Sequence, residues 1–340
     1  MTREQTPSLS VVVTAYQRKS FLIQAVESVL SQSLNRTFYE IIVVKSFSDV
    51  DIDNYLSKNL VKSVLQPQNS SMGDDIVAGL KVATGDVICF LDDDDIFENS
   101  KLETIMHEFE ADPKLDYFHN NYTIVNEQLL PTASINYFRT SDRLFVDTSQ
   151  LRIEGALQIY KSAGSAISSC ISIRRRVLDR IMQHLSGLTH NPDSVFFFSA
   201  LSSNGHLVID PRALTRYRVH ESTIHPKGDF RSIQETMITR AEGHEKSWRI
   251  IRSIVLSGEN SSKGIIIASM PIFRLKDDIT YLVLKGGGRS GMVSLFYQGF
   301  YWFAHVKSFF LVEMMLIASV FILYPSLSLR VYTHSLRFFA

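Results

Sequence analysis

The first 125 residues alternate short apolar runs with stretches of helical period, which is typical of strand and helix units stacked on a parallel sheet. Residues 10–14 (SVVVT) are an unbroken apolar run and predict a buried strand. Residues 40–44 (EIIVV) and 87–91 (VICFL) repeat this pattern, and a weaker strand is predicted near 61–65. After the first strand, apolar side chains recur at the spacing of one helix face: Leu22, Ala25, Val26, Val29 and Leu30. The predicted fold class is therefore α/β.

Charge and composition exclude several classes of protein. The chain has 340 residues, with 35 Lys and Arg against 35 Asp and Glu, so its formal net charge is zero. No overall basic field is present to attract a nucleic-acid backbone, and we expect no nucleic-acid partner. Hydrophobic residues at 45% and charged residues at 21% exclude general disorder. The two cysteines, Cys89 and Cys170, fit a reduced cytosolic environment, and the polar first eight residues lack a signal-peptide core.

The pattern divides the chain into three parts. Residues 1–225 are predicted to form one α/β domain, residues 226–263 a helical connector, and residues 264–340 hydrophobic helices. Residues 309–329 contain a single charged side chain and approach the ~20 apolar residues that cross a bilayer. Residues 295–303 (LFYQGFYWF) are dense in aromatic side chains, as at a membrane interface. We expect association with the cell membrane, with the α/β domain on the cytoplasmic side; a pair of buried core helices is the alternative.

Side chains with candidate chemistry follow the predicted strands, at the sheet edge where ligands bind in open parallel sheets. Residues 92–95 are four consecutive aspartates, whose mutual repulsion favours a bound cation. On an extended chain Asp92 and Asp94 project to one side while Asp93 turns away. Carboxylate oxygens select a hard cation such as Mg²⁺ or Mn²⁺. The alternative is a solvated acidic loop. The ends of the first two strands provide Thr14, Ala15, Tyr16, Arg18 and Lys45.

Several segments in register resemble family 2 glycosyltransferases of the GT-A fold. They are residues 11–16 (VVVTAY), 28–33 (SVLSQS), 83–95 (ATGDVICFLDDDD) and 101–103 (KLE). The resemblance spans roughly residues 8–225 and implies a Rossmann-like, mostly parallel sheet flanked by helices. It also implies an inverting transfer of a sugar from a nucleotide-diphosphate donor, dependent on Mg²⁺ or Mn²⁺.

The resemblance further implies roles for individual residues. Asp94 would bind the metal ion that bridges the diphosphate, and His220, in residues 217–220 (YRVH), would approach the diphosphate or the ion. Asp193 resembles the family's catalytic base; the alternative is a first-turn carboxylate that only favours the helix dipole. His220 likewise has a purely structural alternative. The expected donor-binding residues are Thr14, Ala15, Tyr16, Arg18, Lys45, Asp92, Asp93 and Arg218.

One departure from the family concerns the donor's base. The second strand of the family typically ends in an acidic pair that reads the nucleobase, whereas this chain has residues 44–47 (VKSF), so the base is left open. The hydrophobic tail favours a lipid-linked acceptor, such as a polyprenyl phosphate or a lipid-bound glycan. The alternative function is a non-catalytic module that binds a nucleotide-sugar or a glycan. Nucleotidyl transfer would need a glycine-rich loop after the first strand, and residues 14–18 (TAYQR) contain no glycine.

Overall fold

The computed structural model describes residues 8–16, 19–132, 142–162, 164–220, 230–285 and 289–306, with short pieces at 315–316, 318–319 and 322–323. The strands in these ranges are β1 (Leu9–Ala15), β2 (Tyr39–Lys45), β3 (Lys62–Leu65), β4 (Val87–Asp92), β5 (Ile96–Phe97), β6 (Leu115–Val125), β7 (Leu144–Asp147), β8 (Ile171–Arg174) and β9 (His206–Arg218). The helices are α1 (Lys19–Leu30), α2 (Val50–Lys58), α3 (Met72–Val82), α4 (Lys101–Ala111), α5 (Ile153–Lys161), α6 (Arg175–Leu185), α7 (Pro192–Leu201), α8 (Phe230–Ser257), α9 (Lys263–Lys285) and α10 (Arg289–Val306).

The strands form one mixed sheet in the order β3-β2-β1-β4-β8-β6-β9-β5, with β7 paired to β9. The pairs β1–β2, β1–β4, β2–β3 and β6–β9 are parallel, whereas β8 runs antiparallel to both of its neighbours, β4 and β6. Because β6 lies antiparallel to β8 in turn, six strands, β1, β2, β3, β4, β6 and β9, run in one direction, and β5, β7 and β8 run against them. The mostly parallel sheet that the sequence predicts is therefore confirmed. The reversed strand β8 was not predicted; it begins beside the carboxyl end of β4, directly after a 3₁₀ turn at Ser168–Cys170.

Helices cover both faces of the sheet, and the strand residues alternate between two buried clusters. Val12 of β1 and Phe90 of β4 face α3, α6 and α7 in one cluster, while Val13 and Leu91 face α1, α2 and α4 in the other. Because both faces are covered, β1, β2 and β4 read as continuous apolar runs. Trp248 of α8 belongs to the first cluster, so this helix packs on the core of the sheet.

The hydrophobic C-terminal part is described only in pieces. No helix among the described residues is long and apolar enough to cross a membrane. The predicted segment at 309–329 lies outside the described residues except for six positions, so membrane association through it stays a prediction.

Glu40 joins three elements at the amino-terminal end of β2, remote from the strand carboxyl ends. Its carboxylate accepts hydrogen bonds from Ser10 Oγ on β1, from the backbone and hydroxyl of Thr84, and from Lys62 Nζ on β3. Burial raises the pKa of this carboxyl, but the hydrogen bonds together outweigh burial and lower the pKa from 4.5 to about 2.

We expect Glu40→Gln to lower the free energy of unfolding by about 1–3 kcal/mol near neutral pH, because buried donors lose a charged acceptor. A depressed folded-state pKa stabilises the protein above pH 4.5, and this contribution is lost as the pH falls toward about 2. Urea denaturation at about pH 7 and about pH 3 measures the effect. Glu110→Gln, on the exposed side of α4, is the matched control. An equal loss of unfolding free energy in Glu40→Gln at both pH values would show that the charge of Glu40 does not stabilise the fold.

Candidate active site

The parallel pairing of β1 with β2 and β4 brings the predicted strand ends to one edge of the sheet. Thr14 lies opposite Asp92 in the register, and Thr14 Oγ1 donates to Asp92 Oδ1 across 3.3 Å. Ala15 lies opposite Lys45 on the other side of β1. The Tyr16 side chain is 54% exposed at this edge. Arg18, predicted beside it, lies outside the described residues.

Three of the four consecutive aspartates converge at the carboxyl end of β4. Asp92, Asp94 and Asp95 each place one carboxylate oxygen within 4.8 Å of the others. The Asp95 N–H donates to the Asp92 carbonyl, so the chain turns here and brings Asp95 back beside Asp92. Asp93 is fully buried instead, and its Oδ2 accepts the Tyr16 N–H at 3.0 Å. Asp93 thereby fastens the segment after β1 to the end of β4.

Asp95 is the most constrained member of this acidic cluster, which consists of Asp92, Asp94 and Asp95. Its Oδ1 accepts the Arg218 N–H at 2.9 Å, and its Oδ2 is buried without a hydrogen-bond partner among the described residues. Burial, followed by the charges of Asp94 and Asp92, raises the pKa of this carboxyl well above its usual range. An orphaned buried oxygen beside two further carboxylates fits a hard divalent cation such as Mg²⁺ or Mn²⁺.

His220 and Arg218 both reach the acidic cluster, but in different ways. His220 is buried, and its Nε2 lies 2.7 Å from Asp94 Oδ2. The backbone of Arg218 contacts the cluster, while its guanidinium is enclosed over the Phe21 ring and donates to Gln24 Oε1 at 2.7 Å. Of the two predicted residues, His220 therefore brings its side chain to the aspartates, whereas Arg218 brings only its backbone N–H.

Lys45, at the end of β2, points into the protein rather than outward. Its Nζ lies 2.9 Å from Asp53 Oδ1 on α2 and donates to the Phe47 carbonyl at 2.7 Å. The side chain is 3% exposed. The edge of the sheet next to Lys45 thus includes a carboxylate from α2, which residues 44–47 alone did not indicate.

Asp193 lies in the first turn of α7, as predicted. Asn191, before the helix, has a left-handed backbone with φ of 52°, and Pro192 is the first helical residue. Asp193 Oδ2 accepts the Ile167 N–H at 3.1 Å, and Oδ1 accepts the Ser194 N–H at 2.9 Å. Burial raises the pKa of Asp193 although these hydrogen bonds oppose it. A partly buried carboxylate with a raised pKa is suited to accept a proton near neutral pH.

The turn of residues 167–170 connects Asp193 with the acidic cluster. The Ile167 N–H bonds Asp193, and Ser169 Oγ accepts the Asp92 N–H at 3.0 Å. Ile167 has φ of 63°, a strained conformation for a β-branched residue, and such strain persists where the surroundings hold it. Ser169 and Ile167 were not predicted as site residues, since neither residue type signals such a turn.

A second missed group comes from the C-terminal helices. His244 of α8 lies 2.8 Å, through Nδ1, from Asp277 Oδ1 on α9, and Trp248 Nε1 donates to Asp277 Oδ2 at 2.8 Å. The His244 ring is 5.5 Å from that of His190, three residues before Asp193. The charge of His244 contributes to lowering the Asp193 pKa, against the dominant effect of burial. Helices α8 and α9 therefore support the Asp193 side of the site.

In open α/β sheets, ligands bind outside the carboxyl ends of the strands, which is where these carboxylates lie. The model of the Glycosyl transferase family 2 family matches residues 10–182, half of the chain. The chain therefore belongs to glycosyltransferase family 2, which confirms the resemblance seen in the sequence.

Curated relatives carry names consistent with this family. An uncharacterized glycosyltransferase of Rickettsia bellii is 29% identical over 140 residues, which are 40% of this chain and 20% of that protein. An uncharacterized glycosyltransferase of Haemophilus influenzae is 32% identical over 121 residues, which are 34% of this chain and 47% of that protein. The chain thus spans a fifth to a half of the length of these two relatives.

Solved structures confirm the GT-A-like fold. S. aureus TarS 1–349 in complex with UDP superposes with a TM-score of 0.58 at 14% identity, covering 92% of this chain and 90% of that one. The mannosyltransferase PcManGT from Pyrobaculum calidifontis, in complex with GDP-Man and Mn²⁺, has a TM-score of 0.53 at 13% identity, with coverage of 98% and 85%.

Proposed function

We propose that the chain is an inverting glycosyltransferase that moves a sugar from a nucleotide-diphosphate donor to an acceptor. The observation that carries the proposal is one turn, residues 167–170, that contacts both the acidic cluster and Asp193. A donor end and an acceptor end of one site are thereby held by the same piece of chain. The donors named with the structural neighbours, UDP-GlcNAc and GDP-Man, belong to the substrate class proposed here.

The donor side of the proposed site is the acidic cluster. Asp92, Asp94 and Asp95 offer hard oxygen ligands and would hold Mg²⁺ or Mn²⁺. When bound, the ion supplies positive charge that stabilises the departing nucleotide diphosphate. His220 bonds Asp94 and keeps that carboxylate oriented, while Asp93 holds the segment after β1 that carries Tyr16 to the same edge.

The acceptor side of the proposed site is Asp193. Inversion needs a single base, which takes the acceptor's proton on the face opposite the leaving group. The two backbone N–H groups that bond Asp193 fix the carboxylate without neutralising it. Its raised pKa keeps the carboxylate a stronger base than an exposed aspartate.

Incubating the purified chain with a panel of nucleotide-sugars, with Mn²⁺, with Mg²⁺ or with EDTA, tests this proposal. We expect metal-dependent release of the nucleotide diphosphate from at least one donor. The alternative function, a non-catalytic nucleotide-sugar or glycan-binding module, predicts calorimetric binding without turnover for every donor. That result would replace the proposal.

We also propose that the protein works at the cytoplasmic face of the cell membrane on a lipid-linked acceptor, a polyprenyl phosphate or a lipid-bound glycan. The support is an exposed aromatic face on α10, formed by Tyr297, Phe300 and Tyr301 at helical spacing. Aromatic side chains of this kind favour the interface between lipid and water. Sugar transfer to membrane extracts and to soluble sugars separates the acceptors; a strict preference for soluble sugars would overturn the lipid proposal.

Replacing Tyr297, Phe300 and Tyr301 by Ser is expected to weaken co-sedimentation with anionic vesicles about tenfold, because the interfacial aromatic face is removed. Val50→Ser with Leu65→Ser, which removes exposed apolar side chains from α2 and β3, is the matched control. If the triple variant and the double control variant bind vesicles equally well, the aromatic face of α10 is not the membrane contact.

A further inference from the structure

Lys101, the first residue of α4, is fully buried close to the acidic cluster. Its Nζ donates to the Ser169 carbonyl and to Thr215 Oγ1, the latter at 2.9 Å, and lies 3.8 Å from the centre of the Phe97 ring. Within the described part of the chain it makes no ion pair. Fully buried lysines are rare without a paired carboxylate, so this ammonium needs a specific explanation.

The two oxygens that Lys101 contacts belong to two different elements. Ser169 lies in the 167–170 turn, and Thr215 lies on β9, where its Oγ1 also bonds the Ser169 carbonyl at 3.1 Å. Asn120 Nδ2 on β6 donates to the same Thr215 Oγ1 at 2.9 Å. Lys101 therefore closes a buried polar network that fastens the turn to the sheet.

We propose that Lys101 is a positioning residue whose buried ammonium holds the 167–170 turn against β9 and thereby sets Asp193 relative to Asp92. The catalytic part of this inference rests on the proposed function. The turn itself contains the strained residue Ile167, whose N–H bonds Asp193, and Ser169, whose Oγ bonds the Asp92 N–H.

An ammonium does what an apolar side chain cannot do at this position. Buried ion pairs can often be replaced by apolar side chains of similar volume without loss of stability, so packing alone gives no reason for a lysine. The Ser169 carbonyl, by contrast, needs donors to hold it in place while Ile167 stays strained. Burial lowers the pKa of Lys101 to about 8, so near neutral pH the side chain is still mostly an ammonium that can donate to both oxygens.

The test compares Lys101→Met with the unaltered chain by amide hydrogen exchange and by kinetics. We expect the peptide containing residues 165–171 to exchange about tenfold faster, because the Ile167 and Cys170 amides lose their fixed acceptors, while the peptide of β2 is unchanged. We expect kcat for sugar transfer to fall about 30-fold, since a small misplacement of a base is costly. Binding of the nucleotide diphosphate with Mn²⁺ should stay within about threefold, because β1 still pairs with β4.

Two further variants separate positioning from simple destabilisation. Ile105→Val lies in the buried face of the same helix and should lower the melting temperature without changing exchange in residues 165–171. Thr215→Val removes the hydroxyl that bonds both Lys101 and Ser169, and we expect it to reproduce the changes in milder form. The Lys101→Met and Thr215→Val effects on kcat should be less than additive, as for members of one network.

Unchanged exchange in residues 165–171 of Lys101→Met would overturn the proposal. So would a loss of kcat no larger than that of Ile105→Val, or a loss of donor affinity as large as the loss of kcat. If the unaltered chain turns over no nucleotide-sugar, the proposed function fails, while the exchange measurement still decides whether Lys101 holds the turn.

Discussion

Asp193→Asn is expected to lower kcat for sugar transfer by about 10²–10⁴, the usual contribution of a general base. The amide keeps the size of the side chain and can still accept the Ile167 N–H, so the fold and the binding of the donor nucleotide should be retained. Steady-state kinetics with the active donor, together with calorimetry of the nucleotide diphosphate, measure both quantities. Asp179→Asn, an exposed aspartate on the neighbouring α6, is the matched control.

The pH dependence of the unaltered enzyme gives a second measurement of the same group. The base works only when ionised, so activity is expected above the Asp193 pKa and lost as the pH falls through it. Since burial raises this pKa above 3.8, the acid limb of kcat/KM should lie above that of an exposed aspartate. Asn at this position should remove the limb from the residual activity. Full activity of Asp193→Asn would leave Asp193 as a helix-terminal carboxylate only.

The strands next to the candidate site were predictable because they are buried on both faces. The run at 87–91 became β4 (Val87–Asp92), and the run at 40–44 became β2 (Tyr39–Lys45). The helix face that includes Leu22 and Val29 is buried against the sheet. In each case, local apolar pattern and tertiary burial agree, which is the condition under which periodicity predicts structure.

The antiparallel strand β8 could not be predicted in the same way. Its four residues, ISIR, are too short to show a period, and their direction depends on the turn before them. That turn begins at the strained Ile167 and is bonded by Lys101 and Thr215, which are distant from it in sequence. Non-local contacts of this kind leave no periodic signal.

The sequence predicted an acidic metal site at the end of β4, but not which three of the four aspartates form it. Alternation along an extended chain indicated Asp92 and Asp94, and these two do converge. The hydrogen bond from the Asp95 N–H to the Asp92 carbonyl makes the segment a turn, so Asp95 joins them and Asp93 fastens the neighbouring strand end. A pattern rule for strands fails at the residue where the strand stops.

Asp94→Asn is expected to weaken Mn²⁺-linked binding of the nucleotide diphosphate about 100-fold, because three carboxylates that can hold one divalent ion become two. Calorimetry with and without Mn²⁺ measures the loss, which should be confined to the metal-linked part. Asp86→Asn, at the other end of the same β4 segment and exposed, changes charge equally and is the matched control.

The same substitution should act in opposite directions on stability with and without the ion. Without metal, removing Asp94 relieves repulsion on Asp95, whose carboxyl is buried and raised in pKa by Asp94 among other causes, so the melting temperature should rise slightly. With Mn²⁺, the unaltered chain should gain stability in proportion to the occupancy of the site, and Asp94→Asn should gain little. Asp94→Asn should thus melt above the unaltered chain without metal and below it with Mn²⁺. A misfolded variant would melt lower under both conditions, so this reversal distinguishes loss of a metal ligand from loss of structure. A variant that gains as much stability from Mn²⁺ as the unaltered chain would show that Asp94 does not hold the ion.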